Sequence, residues 1–355
     1  MRIGIDGNEA NISQKVGVGL FAYQLLLQLY QQKTDNQYYI FLKSTPGKDL
    51  PPEKANWHYL VFGPQKLWTR FALPLKLYFG SPKLDLFFSP SHYTPLFCPV
   101  PKLAAIMDLG YLDTPEQFTK KDYYQLTNWT KESIQTCKHL ITISEFTKQE
   151  IVKRFNYNPN NITVIYPSVT PPSKIDKTLI GKWKLSSSPY FLYLGTLKPS
   201  KNILFLIETF SKYQGPEKLV IAGKKGWLYG SIFQLVKTLH LESKVIFTDY
   251  ITEAEKWSLL KQAKCLCIPS LYEGFGIPAL ESLLIGTPVA ASNCGSLPEI
   301  VGKYGYLLGP QDTQAWLLAL KKPQSVSSSD IGKLNLKFGW PDNLVRLKTA
   351  FLKVI

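Results

Sequence analysis

The sequence predicts an α/β protein of two domains, each built on a doubly wound parallel sheet. Three observations predict this class. Short apolar runs alternate with longer amphipathic ones, the apolar runs are continuous, and the alternation restarts after a Pro- and Ser-rich segment at 166–176. Continuous apolar strands are typical of parallel sheets covered by helices on both faces. A chain of 355 residues is also long enough to bury two separate cores.

The first half of the chain opens on an apolar strand and then alternates strands with helices. Its strand candidates are RIGID (2–6), YYIFL (38–42), HYLVF (58–62), LDLFFS (84–89), KLAAIM (102–107) and HLITIS (139–144), and NITVIYP closes this half. Its helix candidates are 19–32, 121–137 and 145–155. Ser144 is the expected N-cap of the last helix, because a serine oxygen can accept from the first free amides.

The second half repeats the alternation after the Pro-rich segment. Its strand candidates are YFLYLG (190–195), KLVIAG (218–223), VIFTDY (245–250), CLCIPS (265–270), PVAAS (288–292) and YGYLL (304–308). Its helix candidates are 201–213, 229–241, 254–263 and one that opens near Ile277, and the tail at 340–355 also has helical periodicity. We expect domains at 1–170 and 171–339, with ligands in a central cleft at the carboxyl ends of both sheets.

The formal net charge of +15 raises the question of an anionic partner. Nearly all of the surplus is lysine, since the arginines are limited to Arg2, Arg70, Arg154 and Arg346. Proteins that read bases favour the bidentate fork of arginine, so a nucleic-acid partner is disfavoured. A solvated Lys-rich surface and attraction to an anionic membrane both stay open.

The N-terminal sequence, the length of the apolar runs and the number of cysteines all indicate a reducing, cytoplasmic compartment. The N-terminus lacks a signal-peptide h-region, and the chain has no run of about eighteen apolar residues. The odd number of cysteines fits a reducing environment, and their spacing is not that of metal ligands. We therefore expect a cytoplasmic protein with no metal site and no cofactor.

The segment 64–83 mixes aromatic and basic residues and has two interpretations. It could be a basic amphipathic surface that touches anionic lipid on the inner face of the plasma membrane. Alternatively, it is a buried helix that ends at Pro74. Its aromatic and basic residues are Trp68, Phe71, Tyr78, Phe79, Lys66, Arg70, Lys76 and Lys83.

A glycine turn between two glutamates is the most unusual local feature. It lies in SLYEGFGIPALESLLIGTPVAASNCGSLPEIVG, which starts at Ser270. Gly274 and Gly276 permit backbone conformations that a Cβ would block, and the helix that follows presents free amides to an anionic or hydroxyl-rich ligand. Glu273 and Glu281 could then accept hydrogen bonds from sugar or ribose hydroxyls. The alternative is a helix-capping glutamate beside a tight turn.

Two other glycine-containing turns suit phosphate. In YLGTLKPSKN (193–202), Lys198 and Lys201 stand before a helix, where they could neutralise a diphosphate. The spacing is not that of a Walker loop or a dinucleotide fingerprint. In KVGVGLFAYQLL (15–26), Gly17 and Gly19 separate the first strand from its helix, which permits another close approach to phosphate.

Asp108 follows an apolar strand and has two interpretations. At the carboxyl end of a strand it would face the expected cleft, as a catalytic acid or as a cap of the next turn. The four histidines are scattered, which favours structural roles for them; among them, His92 follows a strand in SPSHYTP and is the strongest exception. A nucleophile activated by histidine is not evident.

Together these segments resemble the retaining GT-B glycosyltransferases of family 4 (group 1), and among them the bacterial mannosyltransferase-like enzymes of cell-surface polysaccharide synthesis. The resemblance rests on EGFGIPALESLLIGTPVAASNCGSLPEIVG with its Glu-seven-Glu spacing, on MRIGIDGNEAN, VGVGLFAYQLL, MDLGYLDTPEQF, ITISEFTKQEIVKRF, ITVIYPSV, YLGTLKPSKN and LVIAGKKGW. These segments cover nearly the whole chain in the family's order. The fold that the resemblance implies is GT-B, with two Rossmann-like domains.

The resemblance also implies roles for individual residues. Glu281 would bind the nucleotide ribose, Glu273 the donor sugar, and Lys201 the diphosphate, while Asp108 matches a family acid and joins Glu273 and Lys201 as catalytic. The full donor-binding set would be Glu281, Gly274, Phe275, Gly276, Ile277, Lys198, Gly195, Thr196, Gly17, Gly19, Tyr250 and Ile251. The C-terminal helix would cross back to the N-terminal, acceptor-side domain, leaving the donor to the C-terminal one.

The implied activity is metal-independent transfer, with retention, of a hexose such as mannose. The donor would be a nucleotide sugar such as GDP-mannose, and the acceptor a saccharide or a lipid-linked glycan. The chain departs from the family pattern at four positions, which are Met107 in place of histidine, Thr196 and Ser200 near an expected arginine, and Leu20 in place of another arginine. A catalytically weak sugar-nucleotide-binding protein and a nucleotide-sugar epimerase of the same fold are the alternatives.

Overall fold

The computed structural model describes residues 1–15 and 17–355. These residues form two compact units. The first comprises Met1–Pro167 together with Trp340–Ile355, and the second is the continuous stretch Ser168–Gly339. The chain therefore leaves the first unit at the Pro-rich segment, completes the second, and returns to the first with its last residues.

The first unit contains a parallel sheet of seven strands among the described residues. The strands are β1 (Arg2–Asp6), β2 (Gln37–Leu42), β3 (Trp57–Val61), β4 (Leu86–Ser89), β5 (Lys102–Ile106), β6 (His139–Thr142) and β7 (Ile162–Val164). Their order across the sheet is β3-β2-β1-β4-β5-β6-β7. The central strands β4, β5 and β6 are buried along their whole length, as their continuous apolar sequences require.

Helices cover this sheet. They are α1 (Val18–Gln31), α2 (Ala72–Phe79), α3 (Lys120–Thr136) and α4 (Glu145–Phe155). The predicted N-cap of α4 is confirmed, because the Ser144 Oγ accepts from the Thr147 amide at 3.0 Å. The idea of a helix ending at Pro74 is wrong, since α2 starts two residues earlier and continues to Phe79. Proline is tolerated there because first-turn amides have no intrahelical partner.

The second unit contains a parallel sheet of six strands within the part of the chain that the structure describes. The strands are β8 (Tyr190–Leu194), β9 (Lys218–Ala222), β10 (Val245–Asp249), β11 (Cys265–Ile268), β12 (Val289–Ser292) and β13 (Tyr306–Leu308). Their order is β10-β9-β8-β11-β12-β13. The expected architecture of two Rossmann-like parallel sheets is thus confirmed.

The helices of the second unit include three that the sequence reasoning did not predict. They are α5 (Ile203–Ser211), α6 (Gly230–Thr238), α7 (Glu253–Gln262), α8 (Ile277–Leu284), α9 (Leu297–Val301), α10 (Thr313–Lys321) and α11 (Ser328–Phe338). The unpredicted ones are α9, α10 and α11. Helix α5 is shorter than expected, because a separate 3₁₀ turn, Pro199–Lys201, precedes it.

The C-terminal helix α12 (Trp340–Leu352) belongs to the first unit. Its buried Asn343 exchanges two hydrogen bonds with the backbone of Tyr166, at 3.0 and 2.8 Å. Phe351 packs edge-on against Phe88 of β4, with ring centroids 5.6 Å apart. These contacts fasten the end of the chain to the first sheet.

In both sheets the strand order reverses at one place. The reversal lies between β1 and β4 in the first unit and between β8 and β11 in the second. Loops diverge at such a point, so the carboxyl ends of these strands leave a crevice in which α/β proteins bind ligands. No helix among the described residues has the length and apolar character needed to cross a bilayer.

Candidate functional site

The glycine turn of the second unit lies at the carboxyl edge of its sheet. It connects β11 to α8, and Gly276 is the N-cap residue of α8 with a φ of 97°. A Cβ at Gly276 would lie only 2.8 Å from Leu297 Cδ2, so both the backbone angle and the space require glycine. Pro278 stands in the first turn of α8, where proline is favoured. The helix therefore begins where the sequence predicts.

The structure brings Glu273 and Lys201 together at the switch point. Glu273 follows β11 and Lys201 follows β8, the two strands between which the order reverses. The Lys201 ammonium donates to Glu273 Oε1 at 2.5 Å, and the Ser270 hydroxyl donates to the same oxygen at 2.8 Å. Both side chains of the ion pair are less than a fifth exposed. Two residues chosen from separate motifs thus form one charged pair.

A second loop supports the Glu273 turn from behind. The Ser296 amide and hydroxyl both donate to the carbonyl of Glu273 at 3.0 Å, and the hydroxyl also donates to Phe275 O at 2.7 Å. Gly295 has a φ of 56°, and a Cβ there would lie 2.5 Å from Glu273 O. This loop was part of the motif, but its supporting role was not predicted, because it depends on a contact between two strand ends.

Glu281 is buried one turn into α8 and pairs with a lysine that sequence reasoning missed. Only 4% of the residue is exposed, and Lys256 of α7 donates to its carboxylate. Burial raises the pKa of Glu281, while the ammonium of Lys256 acts in the opposite direction. For Lys256, burial lowers the pKa, but Glu281 and Glu253 outweigh it and the net shift is upward. Since α7 and α8 are separate helices, no local spacing could reveal this pair.

The loop after β8 is held against the loop after β9. The Gly195 amide donates to Ala222 O and the Leu197 amide to Lys224 O, both at 3.0 Å. Gly223 passes so close to the carbonyl of Gly195 that a Cβ there would clash. The Thr196 carbonyl accepts from the Tyr193 hydroxyl at 3.1 Å. The loop that carries Lys198 and Lys201 is therefore rigidly placed.

The remaining predicted residues of the second unit lie along the same edge. Lys198 has its ammonium 5.3 Å from the ring centroid of Trp227. Tyr250 and Ile251 follow β10, with Tyr250 66% exposed and Ile251 only 9%. Thr252 then caps α7, the helix that carries Lys256, through a reciprocal capping box with Glu255.

In the first unit, the predicted glycines begin α1. Gly17 is its N-cap residue, with a φ of 49°, and among the described residues no atom would crowd a Cβ added at this position. Gly19 is needed for space, because a Cβ there would lie 2.7 Å from Ile12 Cδ1 and 3.0 Å from Glu9 O. Each glycine thus has a structural reason of its own.

Asp108 follows β5 and caps the turn after it. Its carboxylate accepts from the Gly110 amide at 2.9 Å and is partly exposed. The neighbouring Met107 amide donates to His92 Nε2 at 3.4 Å. This buried imidazole therefore lies beside Met107, the residue that stands in place of an expected histidine. Burial lowers the pKa of His92, and Asp108 opposes that shift. The Nδ1 of His92 is buried without a hydrogen-bond partner among the described residues.

A cavity of about 720 Å³ opens at the switch point of the first unit. It collects polar and aromatic groups from the ends of β1, β2 and β4 and from α3. Among its lining residues are Asp6, Glu9, Lys43, Lys66, Tyr93, Tyr124 and Trp129. A pocket with hydrogen-bonding groups and flat aromatic faces can hold a polar ring-shaped ligand such as a sugar.

Asp6 is the buried acid of this cavity. Only 8% of it is exposed, and burial raises its pKa to about 6, although the Asn8 amide and side chain both donate to it. The sequence reasoning missed Asp6, whose signal is that it ends the first apolar strand. The aromatic residues of α3 were read only as part of a helix.

The family emerges from comparison with known sequences. A sequence model described as "Glycosyl transferases group 1" matches residues 177–323. The chain is 30% identical over 217 residues to O-antigen chain mannosyltransferase B of Escherichia coli, a match that covers 59% of this chain and 57% of that protein. It is 30% identical over 250 residues to O-antigen chain mannosyltransferase RfbU of Salmonella typhimurium, covering 70% and 67%. The first match thus spans little more than half of its relative's length.

Comparison with solved structures supports the fold. The structure of Anabaena Alr3699/HepE in complex with UDP and glucose aligns with a TM-score of 0.74 over 99% of this chain and 100% of that one. The sequence identity is 17%, so this likeness shows the fold alone. The predicted GT-B class, with its two Rossmann-like domains, is confirmed.

Proposed function

Because the chain belongs to the group 1 glycosyltransferases, we propose that it transfers a hexose from a nucleotide-sugar donor to a hydroxyl group of a glycan acceptor. The mannosyltransferase names of its relatives favour mannose, and GDP-mannose is the donor we expect first. The bound UDP of the Anabaena protein makes a uridine donor the main competitor. We place the reaction in the synthesis of a cell-surface polysaccharide.

The single observation that carries the donor site is the Lys201–Glu273 pair at the switch point of the second unit. A diphosphate would draw the Lys201 ammonium toward itself and free Glu273 to accept from hydroxyls of the donor sugar. Lys198 and the amides at the start of α8 would add positive potential on the same edge. Glu281, behind them on α8, would accept from the ribose.

The chemistry follows from these charges. When the glycosidic bond to the diphosphate breaks, negative charge develops on the leaving phosphate oxygen. Preorganised cations and amides lower the barrier most if they face that charge, so Lys201 is the residue we expect to act on turnover. We propose that the acceptor hydroxyl attacks from the same face, that its proton passes to the departing phosphate, and that the anomeric configuration is retained. The proposal assigns no metal to this step.

The acceptor side belongs to the first unit in this proposal. Its cavity offers the buried carboxyl of Asp6 and the aromatic faces of Tyr93, Tyr124 and Trp129, which suit an uncharged saccharide. Asp108 follows β5, which lies two strands away from β1 in the sheet, and it is the acid that we assign to the transferred sugar. Gly17 and Gly19 keep the loop before α1 clear of bulky side chains.

We also propose that the reaction takes place in the cytoplasm. The five cysteines, all within the described residues, are free thiols. Buried thiols such as Cys265 and Cys267 fit a compartment that keeps cysteines reduced. A peripheral association with the inner face of the plasma membrane is the further part of this proposal.

A binding screen followed by product analysis tests the function. Thermal unfolding with GDP-, UDP- and ADP-sugars should show one nucleotide that raises the Tm, because a ligand of the folded state stabilises it by mass action. Incubation with that donor and an oligosaccharide acceptor should then give a new glycoside, whose anomeric proton reports retention or inversion. Binding of a nucleotide sugar with no transfer to any acceptor would favour the weakly active binding protein, which Met107 and the missing arginines suggest.

A further inference from the structure

The surface of the first unit carries a stripe of exposed apolar side chains along α2 and the turn before it. Five residues form it: Leu67, Phe71, Leu75, Tyr78 and Phe79, which are 56%, 60%, 59%, 43% and 83% exposed. Leu75, Tyr78 and Phe79 lie three and four residues apart on α2, which places them on one side of the helix. Phe71 is the N-cap residue of α2, and Leu67 lies in the turn before it with a φ of 53°. We call this stripe the α2 face.

The opposite side of α2 is already used in the core. Ala72, Leu73 and Leu77 are buried in a cluster with Trp68 and Phe87. Apart from Lys76, the helix is therefore apolar on both of its sides, one packed and the other open. A short helix of this kind is expected only where something apolar covers its outer side.

A neighbouring loop extends the α2 face. Leu96 and Phe97 are 37% and 64% exposed, and the next residues, Cys98 and Val100, pack on the same cluster as α2. The loop is fixed from inside, because the buried Lys102 ammonium donates to the carbonyl oxygens of Pro95 and Leu96 at 2.6 and 3.2 Å. The backbone that leads into Phe97 is thus held in place.

The segment that carries the α2 face contains charged residues of one sign only. Between Glu53 and Asp85 the sequence contains five basic residues and no acidic one. Arg70 is engaged internally, since it pairs with Glu132 and stacks on Trp129 at 4.2 Å. Lys66, Lys76 and Lys83 remain beside the apolar stripe, and the Lys83 ammonium donates to Tyr78 O at 3.2 Å.

We propose that the α2 face is a docking surface for an anionic lipid bilayer. A bilayer presents negative headgroups next to hydrocarbon, which matches a stripe of phenyl and isobutyl groups flanked by lysines. A second copy of the chain fits less well. In a symmetric pair the same patch meets itself, so the lysines beside the patch of one copy would approach the lysines beside the patch of the other.

The position of the α2 face indicates which kind of acceptor the cavity would bind, an inference that rests on the proposed function. Residues 65–69 line the cavity of the first unit, and the chain runs directly from them into the α2 face. A sugar in the cavity could therefore belong to a molecule whose apolar part lies in the bilayer. The inference favours a lipid-linked glycan over a free saccharide as the acceptor.

Vesicle sedimentation tests the docking surface with the full-length protein. Wild-type protein should bind phosphatidylcholine vesicles containing phosphatidylglycerol at least about tenfold more strongly than phosphatidylcholine alone, and salt should weaken the binding. The triple variant Phe71→Ser/Leu75→Ser/Phe79→Ser should lose at least about tenfold. The matched control replaces equally exposed residues of the second unit, Leu228→Ser/Leu318→Ser/Leu336→Ser, and should bind like wild type.

A second variant and a second readout separate the outcomes. Lys76→Gln/Lys83→Gln should reduce the preference for anionic vesicles and leave the apolar stripe intact. Equal vesicle binding by wild type and the triple variant would overturn the proposal. So would loss of a concentration-dependent dimer in the triple variant without any vesicle binding by wild type. Donor binding, followed by thermal shift without vesicles, should be unchanged in both variants, and its absence from wild type would instead count against the proposed function.

Discussion

The carboxyl edges of the two sheets use charge in different ways. In the second unit the two glutamates that flank the glycine turn are paired with lysines, Glu273 with Lys201 and Glu281 with Lys256. In the first unit Asp6 and Asp108 are held by hydrogen bonds from neutral N–H groups instead. Preformed ion pairs suit a charged ligand that exchanges partners with them, whereas neutral cradles suit hydroxyl groups. The contrast agrees with a nucleotide sugar on one side and a glycan on the other.

Breaking the buried pair of the second unit should have the largest effect. Lys256→Ala leaves the Glu281 carboxylate buried without its ammonium, and this should lower the free energy of unfolding by about 3 kcal/mol. Urea unfolding measures the change. Lys182→Ala is the matched control, because that lysine pairs with Glu255 of the same helix but is half exposed, and a loss below about 1 kcal/mol is expected. Similar losses in both variants would mean that the buried Lys256–Glu281 pair stabilises the fold no more than an exposed pair does.

The Lys201–Glu273 pair should matter for turnover more than for folding. Lys201→Ala should lower kcat roughly 100-fold, because the leaving diphosphate loses its nearest cation, while the KM for the donor changes much less. Steady-state kinetics with the donor found by thermal shift measures both. Lys212→Ala is the control, since that lysine lies at the far end of α5. An unchanged kcat in Lys201→Ala would contradict the proposal that the diphosphate binds at this loop.

Glu281→Ala probes the same site from the ribose side. Loss of the carboxylate should weaken nucleotide-sugar binding at least about tenfold, which corresponds to one lost hydrogen bond to a charged group. Isothermal calorimetry gives the Kd. The double variant Lys256→Met/Glu281→Leu is the control for folding, because it removes both charges together. Wild-type affinity in Glu281→Ala would refute the ribose assignment.

Asp6 should make the first unit sensitive to pH. Its folded pKa of about 6 lies above the ordinary value of 3.8, so between these pH values the folded state keeps a proton that the unfolded state has lost. The contribution of this residue to stability is therefore lost as pH rises through that window, by about 3 kcal/mol. Asp6→Asn should abolish the loss and so be more stable than wild type at about pH 7.5 but not at about pH 4. Urea unfolding at both pH values compares the two proteins, and a pH-independent difference would contradict the assignment.

The smallest expected effect compares two glycines. Gly17→Ala should cost about 1 kcal/mol, the cost of a positive φ, because no atom opposes its Cβ. Gly295→Ala combines a positive φ with a Cβ against Glu273 O, so it should cost more and should also disturb donor binding. Thermal unfolding and donor titration distinguish them. Equal effects would mean that the Gly295 loop yields more easily than its contacts indicate.

Local pattern was enough to predict much of the fold and the outline of one site. The continuous apolar strands and the helix that opens at Ile277 follow from periodicity and turn residues. The Glu273 and Lys201 motifs were identified separately, and the rule that ligands meet strand ends brings them together. Neither result needed a contact between distant residues.

The missed features depend on tertiary contacts. Lys256 reaches Glu281 from another helix, and Asp6 acquires its shifted pKa only when the first sheet buries it. The helix at Pro74 was misplaced because proline permits a helix start as well as an end. The pattern of 64–83 allowed both a buried helix and an exposed amphipathic surface. The structure shows that the segment has both kinds of residue, because Trp68 is buried and Phe71 is exposed.

The return of the chain to the first unit has a consequence for the order of folding during synthesis. The ribosome makes the first unit's sheet early but supplies α12, with Asn343 and Phe351, only after the whole second unit. The second unit, being continuous, can close as soon as Gly339 has emerged. The part made first is thus completed last, when Asn343 reaches the backbone of Tyr166 and Phe351 reaches the ring of Phe88.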